Sequence, residues 1–317
     1  MTTYGTLGDL SDAQLQTALD RFGLGRLVRA EAFTEGLFGK NVGLVTDTGR
    51  WVLRGQPWAA DTPDEQFRRE RFWASRIRAA CDVPVPWPFH IEPDPTLFGW
   101  PYQLTPWMPG EQERNAVGAV AVARAAADLR RVTFRAFGDW SPVTDDIEPF
   151  AGTAEEWLRA RTQRWIDRCA AGSRALTDAD LAFVDALYPT DLDGVVPTYV
   201  HHDLKVGNCV CIDGAVSGLF DLGEGLIGDP IEDLARTCWD LARDDPALVG
   251  TFVRYEDAAG VRVPLDRLWA YVVFDLLVIW EFATRPEQSW LDDHPTFEAW
   301  VTAFGADVAG ALEISRR

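Results

Sequence analysis

Tyr199-Val200-His201-His202-Asp203-Leu204-Lys205-Val206-Gly207-Asn208, with Phe220-Asp221-Leu222-Gly223 a short way downstream, is the stretch on which the reading of this chain turns. The first segment has the form H-x-D-L-x-x-x-N, and Asp221 follows Asn208 by 13 positions. Phosphoryl transfer to a hydroxyl needs a carboxylate that orients the hydroxyl and takes its proton, and oxygen ligands that hold Mg²⁺. Asp203 is the right residue type for the first task, and Asn208 and Asp221 for the second. Mg²⁺ keeps several waters, so one carboxylate and one amide oxygen suffice as the protein's share. The intervening residues predict a hairpin. Positions 209–212 and 215–220 read as strands, and Asp213-Gly214 supplies the two-residue turn in which both residues need positive φ. Such a hairpin brings Asn208 at its entrance and Asp221 at its exit to one end.

The spacing is that of the protein-kinase catalytic loop, followed by D-L-G in place of D-F-G. With Gly228-Asp229-Pro230-Ile231-Glu232-Asp233-Leu234-Ala235 added, the three linked motifs resemble the aminoglycoside phosphotransferase and choline kinase family. That resemblance implies a protein-kinase-like fold, phosphorylation of small molecules, ATP or GTP as donor, and Mg²⁺. It implies Asp203 and Lys205 as catalytic residues, with Lys205 on the transferred phosphate, and Asn208 and Asp221 on the metal. It implies that Asp233 braces the catalytic loop. We read His201 as an orienting residue packed behind the loop rather than a general base. His202 stands where the family has glycine, and is open between an exposed loop residue and a substrate contact. Asp229 reads as structural. With Pro230 and Glu232 it makes a capping box, whose loss costs roughly 1 kcal/mol.

Upstream, Ser11 to Gln14 is a capping box with Leu10 and Leu15 placed as a staple, and Leu15, Leu19 and Phe22 form a helical stripe ending at Gly23. Strands are expected at 27–33, 41–46 and 50–54. The loop between the first two carries Gly36, Gly39 and Lys40 and resembles the family's nucleotide-covering loop. The third strand of the family carries a lysine that contacts phosphates and pairs with a helix glutamate. This chain has Arg54, and Glu70, in a helix capped at Thr62-Pro63, is its expected partner. Arginine is a planar fork rather than a point charge, so the exchange is not conservative. Arg54 does the phosphate work, or Lys40 reaches in instead, or the nucleotide site is weakened; we favour the first. A strand-end surface arginine is the plain alternative. Arg54 also keeps open a non-catalytic nucleotide-binding module, against which the intact Asp203, Asn208 and Asp221 argue. The proline-rich run 83–88 reads as an extended connection, His90 as a strand residue and 100–104 as a strand. The breaker cluster from Thr105 to Gly110 looks like a hinge, and the resemblance places the adenine edge on backbone groups of Leu104, Thr105 and Trp107.

The expected whole is an α+β, bilobal protein-kinase-like fold: an antiparallel-sheet lobe over 1–104, a hinge over 105–110, and a mainly helical lobe over 111–317. Helices are expected at 116–131, 155–169, 177–187, 265–284 and 295–314. Asp145 and Asp146 lie in what reads as a solvated loop or an acidic wall for an amine. Glu281, Asp292 and Asp293 are weaker acceptor-site candidates. Asp229 follows Asp221 by only eight positions, which leaves little platform for a peptide and favours a small hydroxylated acceptor; the resemblance points first to an antibiotic such as an aminoglycoside, with sugars, nucleosides and amino alcohols left open. Net charge is −19, which argues against nucleic-acid binding and slightly favours a cationic acceptor. Five cysteines and four histidines support neither a disulfide scaffold nor a zinc framework. With no signal peptide or membrane span in view, a cytoplasmic protein is expected. Oligomeric state is not addressed by the sequence.

Overall fold

The computed structural model describes residues 2–3, 7–32, 41–55, 64–172, 174–189, 192–258, 264–283 and 294–315. A short antiparallel pair, β1 (Thr2–Thr3) and β2 (Asp9–Leu10), precedes α1 (Asp12–Phe22). Ser11 caps α1 as expected, accepting from the Gln14 amide while Gln14 Oε1 accepts from the Ser11 amide, and Gly23 closes it in the left-handed region. A five-stranded antiparallel sheet follows, from β3 (Leu27–Ala32), β4 (Asn41–Thr46), β5 (Arg50–Gly55), β6 (His90–Glu92) and β7 (Tyr102–Pro106), in the order β3-β4-β5-β7-β6. Strand β7 starts later and runs further than expected, into the segment read as a hinge.

Helix α2 (Glu65–Ala80) lies between β5 and β6 in sequence. The expected cap at Thr62-Pro63 lies outside the described residues. The sheet's own core comprises Leu15, Leu19, Val42, Leu44, Leu53, Tyr102 and Leu104 with their neighbours. The apolar face of α2 does not join it. Trp73, Ala74 and Ile77 are fully buried in the core of the second, larger part, where the Trp73 ring lies 5.0 Å from Tyr199 and 6.0 Å from Phe134. One helix therefore belongs to both parts.

The chain crosses over through residues 107–115. Glu111 exchanges amide–carbonyl hydrogen bonds with Cys211 (3.1 and 2.8 Å), and the Ser217 hydroxyl donates to the Pro109 carbonyl. Gly110 has φ 128°, and a Cβ there would meet the Cys211 backbone at 2.7 Å, so the crossing needs a residue without a side chain. The second part contains α3 (Ala116–Leu129), β8 (Gly138–Ser141), β9 (Asp146–Pro149), α4 (Ala154–Ala171), α5 (Asp178–Ala186), β10 (Thr198–Val200), β11 (Cys209–Ile212), β12 (Ala215–Leu219) and β13 (Leu226–Gly228). It closes with α6 (Ile231–Asp244), α7 (Pro246–Ala258), α8 (Leu265–Phe282) and α9 (Phe297–Ser315). The region expected as a solvated loop at 142–150 is a turn and strand instead. β8 and β9 pair, and β8 joins β13 in a small sheet ordered β10-β13-β8-β9. All five cysteines are buried and unbridged. Among the described residues no helix is long and apolar enough to cross a membrane.

Candidate active site

The hairpin forms as the sequence predicts. β11 and β12 pair from Cys209↔Leu219 to Ile212↔Ala215, with Asp213 (φ 51°) and Gly214 (φ 72°) at the turn. The Phe220 amide donates to the Asn208 carbonyl (2.9 Å), so the entrance and exit are clasped and Asp221 emerges beside Asn208. His201 ties the preceding loop to the same point. The Asp203 amide donates to His201 Nδ1 (3.2 Å), so the proton sits on Nε2, which donates to the Phe220 carbonyl (2.8 Å). Burial holds the ring's pKa below its ordinary value, and the buried, doubly bonded imidazole acts as a brace.

Helix α6 carries the loop. Asp233, Arg236, Thr237 and Asp240 recur at the spacing that puts side chains on one helical face. Asp233 accepts from the amides of His201 (2.9 Å) and His202 (2.8 Å). Thr237 donates to the Leu204 carbonyl (2.9 Å), and Asp240 accepts from the Val206 amide (3.2 Å). Burial pushes the Asp233 carboxyl up to about 7, against the two amide bonds that pull it down. Asp229 starts the helix. Its carboxylate accepts from the Ile231 amide (3.0 Å) and the Tyr271 hydroxyl (3.1 Å), and Glu232 returns a bond from the Asp229 amide (3.1 Å).

Asp203 is almost buried and its carboxylate is surrounded by donors. Oδ2 accepts from Lys205 Nζ (2.7 Å) and Asn208 Nδ2 (2.8 Å). Oδ1 accepts from Arg236 Nε (2.8 Å) and Nη2 (2.6 Å). Arg236 Nη1 in turn reaches both oxygens of Asp275 on α8 (3.1 and 3.3 Å). Burial alone would raise the Asp203 carboxyl, but Arg236 and then Lys205 more than offset it and hold it far below the carboxylate range. Neither Arg236 nor Asp275 stands out in the sequence as a site residue. For Arg236 the available signal is a polar stripe on a helix whose apolar face is Ile231, Leu234, Cys238 and Leu241.

Arg54 is not a surface residue. Its Nη1 donates to Glu70 Oε1 (2.8 Å) and its Nη2 reaches Asp221 Oδ1 (3.5 Å). Glu70 also accepts from Gln66 (3.3 Å) and from buried Gln103 (3.2 Å). Burial raises the Glu70 carboxyl, with Arg54 opposing. The arginine fork thus joins the sheet, α2 and the exit of the hairpin. Gly36, Gly39 and Lys40 lie outside the described residues.

The remaining candidates separate. His202 sits in the left-handed region (φ 64°), which explains why a glycine suits this position. It is not exposed loop: its ring lies 6.3 Å from Phe274, and Nε2 is buried without a partner among the described residues. Burial, then Arg161 and Arg236, keep it neutral. Asp145 and Asp146 form no free acidic wall. Asp145 pairs with Arg71 (3.4 Å) and accepts from Trp140 Nε1 (3.1 Å), and Asp146 pairs with Arg76 (3.2 Å), so both face the arginines of α2. Glu281 lies near the end of α8, 3.7 Å from Arg168, and Asp292 and Asp293 lie outside the described residues. Leu104 and Thr105 pair with Leu53 and Val52, and the Trp107 amide donates to the Arg50 carbonyl (2.9 Å). In an antiparallel ladder successive residues alternate sides, so Thr105 and Trp107 are turned to β5. Pro106 is therefore turned to the opposite edge, beyond the end of β6 at His90.

Two oxygens at the mouth of the hairpin fit a hard divalent cation. Asn208 spends its Nδ2 on Asp203 Oδ2 and on the Asp203 carbonyl (2.8 Å each), which leaves Oδ1 as the atom it would offer a metal. The Asp221 side chain is 41% exposed and held only at 3.5 Å by Arg54. One amide oxygen and one carboxylate is the oxygen donor set that Mg²⁺ takes alongside water and phosphate.

The profile of the phosphotransferase enzyme family matches residues 30–265. This chain belongs to that family. Two homoserine kinases are similar in sequence: that of Methylorubrum populi, 28% identical over 225 residues, and that of Rhodospirillum rubrum, 29% identical over 226. Each match covers 67% of this chain and 64% of the relative, so it spans less than two thirds of those enzymes. Among solved structures, a thermostable mutant of aminoglycoside phosphotransferase APH(4)-Ia aligns with a TM-score of 0.64 at 17% identity, covering 95% of this chain and 99% of that one. A GDP complex of an aminoglycoside 2'-phosphotransferase-IIIa mutant aligns at 0.63 and 15% identity, covering 95% and 100%. A ternary complex of APH(4)-Ia with ADP and hygromycin B aligns at 0.56 and 17%, covering 93% and 97%. These likenesses show the fold, and the family member has the expected antiparallel-sheet first part and helical second part.

Proposed function

We propose that this protein transfers the terminal phosphoryl group of ATP or GTP to a hydroxyl of a small molecule, with Asp203 orienting that hydroxyl. The observation that carries the reading is the convergence of Asp203, Asn208 and Asp221 at the mouth of one hairpin. Mg²⁺ held by Asn208 and Asp221 would neutralise charge on the nucleotide phosphates. Lys205 and Arg54 are the cations placed for the phosphates, and electrostatic placement does most of the work in a loose transition state. Asp203, kept ionised by Arg236 and Lys205, serves as an orienting acceptor of the hydroxyl's hydrogen bond and receives the proton late. The Pro106 carbonyl, turned away from β5, and the Met108 amide two residues on would suit the adenine or guanine edge better than Leu104, Thr105 or Trp107. With residues 1–104 as one lobe and 105–110 as the hinge, the nucleotide lies between the parts. Buried, unbridged thiols suit a reducing compartment, so we place the reaction in the cytoplasm.

The homoserine kinase relatives are nearer in sequence than the aminoglycoside enzymes, and they favour a small amino alcohol as acceptor over an aminoglycoside. The test is turnover with Mg²⁺ and ATP or GTP against L-homoserine, other amino alcohols, sugars, nucleosides, aminoglycosides and macrolides, with mass detection of an added phosphate. A phosphorylated product fixes reaction and acceptor together. Nucleotide binding with no product across the panel would favour the non-catalytic reading that Arg54 keeps open.

A further inference from the structure

The Asp203 carboxylate already has all the donors it can take. A carboxylate offers about four lone-pair sites. Arg236 Nε and Nη2 fill two on Oδ1, and Lys205 Nζ and Asn208 Nδ2 fill two on Oδ2. An acceptor hydroxyl can reach this carboxylate only where a donor leaves. Three observations rank the donors. Arg236 is anchored from behind by Asp275 (3.1 Å) and is 15% exposed. Asn208 Nδ2 is anchored by a second bond to the Asp203 carbonyl (2.8 Å). Lys205 has Asp203 as its one described ion-pair partner, is the most exposed of the ion-pair members at 23%, and carries the flexible stem and rotatable ammonium that release a partner readily.

Resting on the phosphotransfer reading, we propose that Arg236 is the positioning residue of Asp203 and Lys205 its displaceable cap. Nucleotide phosphates draw Lys205 off Oδ2, and this withdrawal creates the acceptor's hydroxyl site. Without nucleotide, the carboxylate is closed; with it, Oδ1 stays fixed by Arg236 while Oδ2 opens. The two substrate sites are therefore coupled through one ammonium group, with nucleotide binding favouring acceptor binding and, by linkage, the reverse.

The chain offers a clean reporter, because Lys40 and Lys205 are its two lysines. In protein labelled with ¹⁵N-lysine, the ammonium resonance lost in Lys205→Arg is that of Lys205. Its position is compared in wild type and Asp203→Asn, alone and with saturating Mg²⁺ and AMP-PNP or GMP-PNP, with binding followed by tryptophan fluorescence. The expected result is a wild-type resonance that moves on nucleotide binding, and a separation between wild type and Asp203→Asn that is present without nucleotide and collapses with it. A wild-type resonance that stays in place while nucleotide binds overturns the proposal, whether or not the variant folds. A separation that persists in the nucleotide complex does the same. If neither nucleotide binds, the phosphotransfer reading itself falls and takes this inference with it.

Discussion

Replacing Arg236 with leucine would strand two carboxylates. Asp275 is 6% exposed and Arg236 is its hydrogen-bonding partner, through Nη1 at 3.1 and 3.3 Å. Asp203 would keep Lys205 and Asn208, whereas Asp275 would keep nothing comparable among the described residues. Removing one member of a buried ion pair costs about 3–5 kcal/mol, because the surviving charge stays desolvated. Adding Asp275→Asn removes that charge, so the double variant should be more stable than Arg236→Leu alone, by about 1–3 kcal/mol, the order of one unsatisfied buried group. Urea unfolding followed by tryptophan fluorescence reads both. The pH dependence has a definite sign. Burial already raises the Asp275 carboxyl with Arg236 opposing, so without the arginine the push is unopposed. A carboxyl raised in the folded state stabilises it fully below its unfolded value, about 3.9, and loses that contribution as pH rises through the folded value. The deficit of Arg236→Leu should therefore shrink on going from pH 8 to pH 5, and the double variant should not share that trend. In the wild type Asp203 has the opposite sign: its depressed carboxyl contributes throughout this window and loses that contribution only as pH falls below its unfolded value. A double variant as unstable as the single one would refute the picture of a stranded charge.

Three further outcomes follow from the same contacts. Asp203→Ala should abolish turnover while nucleotide binding survives, as read by product mass and fluorescence titration; near-normal turnover would remove Asp203 from its role. Arg54→Met should weaken nucleotide binding about tenfold or more, since a charge-assisted contact is worth about 1.5–3 kcal/mol; Arg54→Lys should lose less, because one ammonium can still reach Glu70. Asp233→Asn leaves one of two loop amides without an acceptor, which should cost about 1–3 kcal/mol and speed hydrogen exchange at His201 and His202; unchanged exchange there would mean that the loop holds its shape without α6.

The hairpin, the meeting of Asn208 with Asp221 at its mouth and the hydrogen bonds that hold His201 behind the loop were legible because their determinants are local. A two-residue turn sets which residues share an end, and Asn208, Phe220 and Asp221 then meet without any reference to the rest of the fold. Arg54 and Glu70 were legible as a pair through the order of strand and helix. Arg236 and Asp275 were not, because their meaning comes from packing α6 against α8, and an arginine on a helix carries no signal of its own. The acidic pair Asp145 and Asp146 is solvent-exposed, as the loop reading had it, but its pairing with Arg71 and Arg76 of α2 carries no local signal. The core that receives α2 was not legible either. Its stripe of Phe67, Trp73 and Ile77 says that a face is buried, and says nothing of which core receives it.

The polar stripe of α6 has a mechanical consequence. From Asp233 to Asp240 a helix rises roughly 10 Å, and along that length it is stitched to the backbone of residues 201, 202, 204 and 206. The loop behaves as a casting held in its mould: it has no hydrogen-bonded ladder of its own, yet it cannot deform unless α6 does. Helix α2 is fastened to the same body through Trp73, and the sheet is pinned to it where Arg54 of β5 meets Glu70 and Asp221.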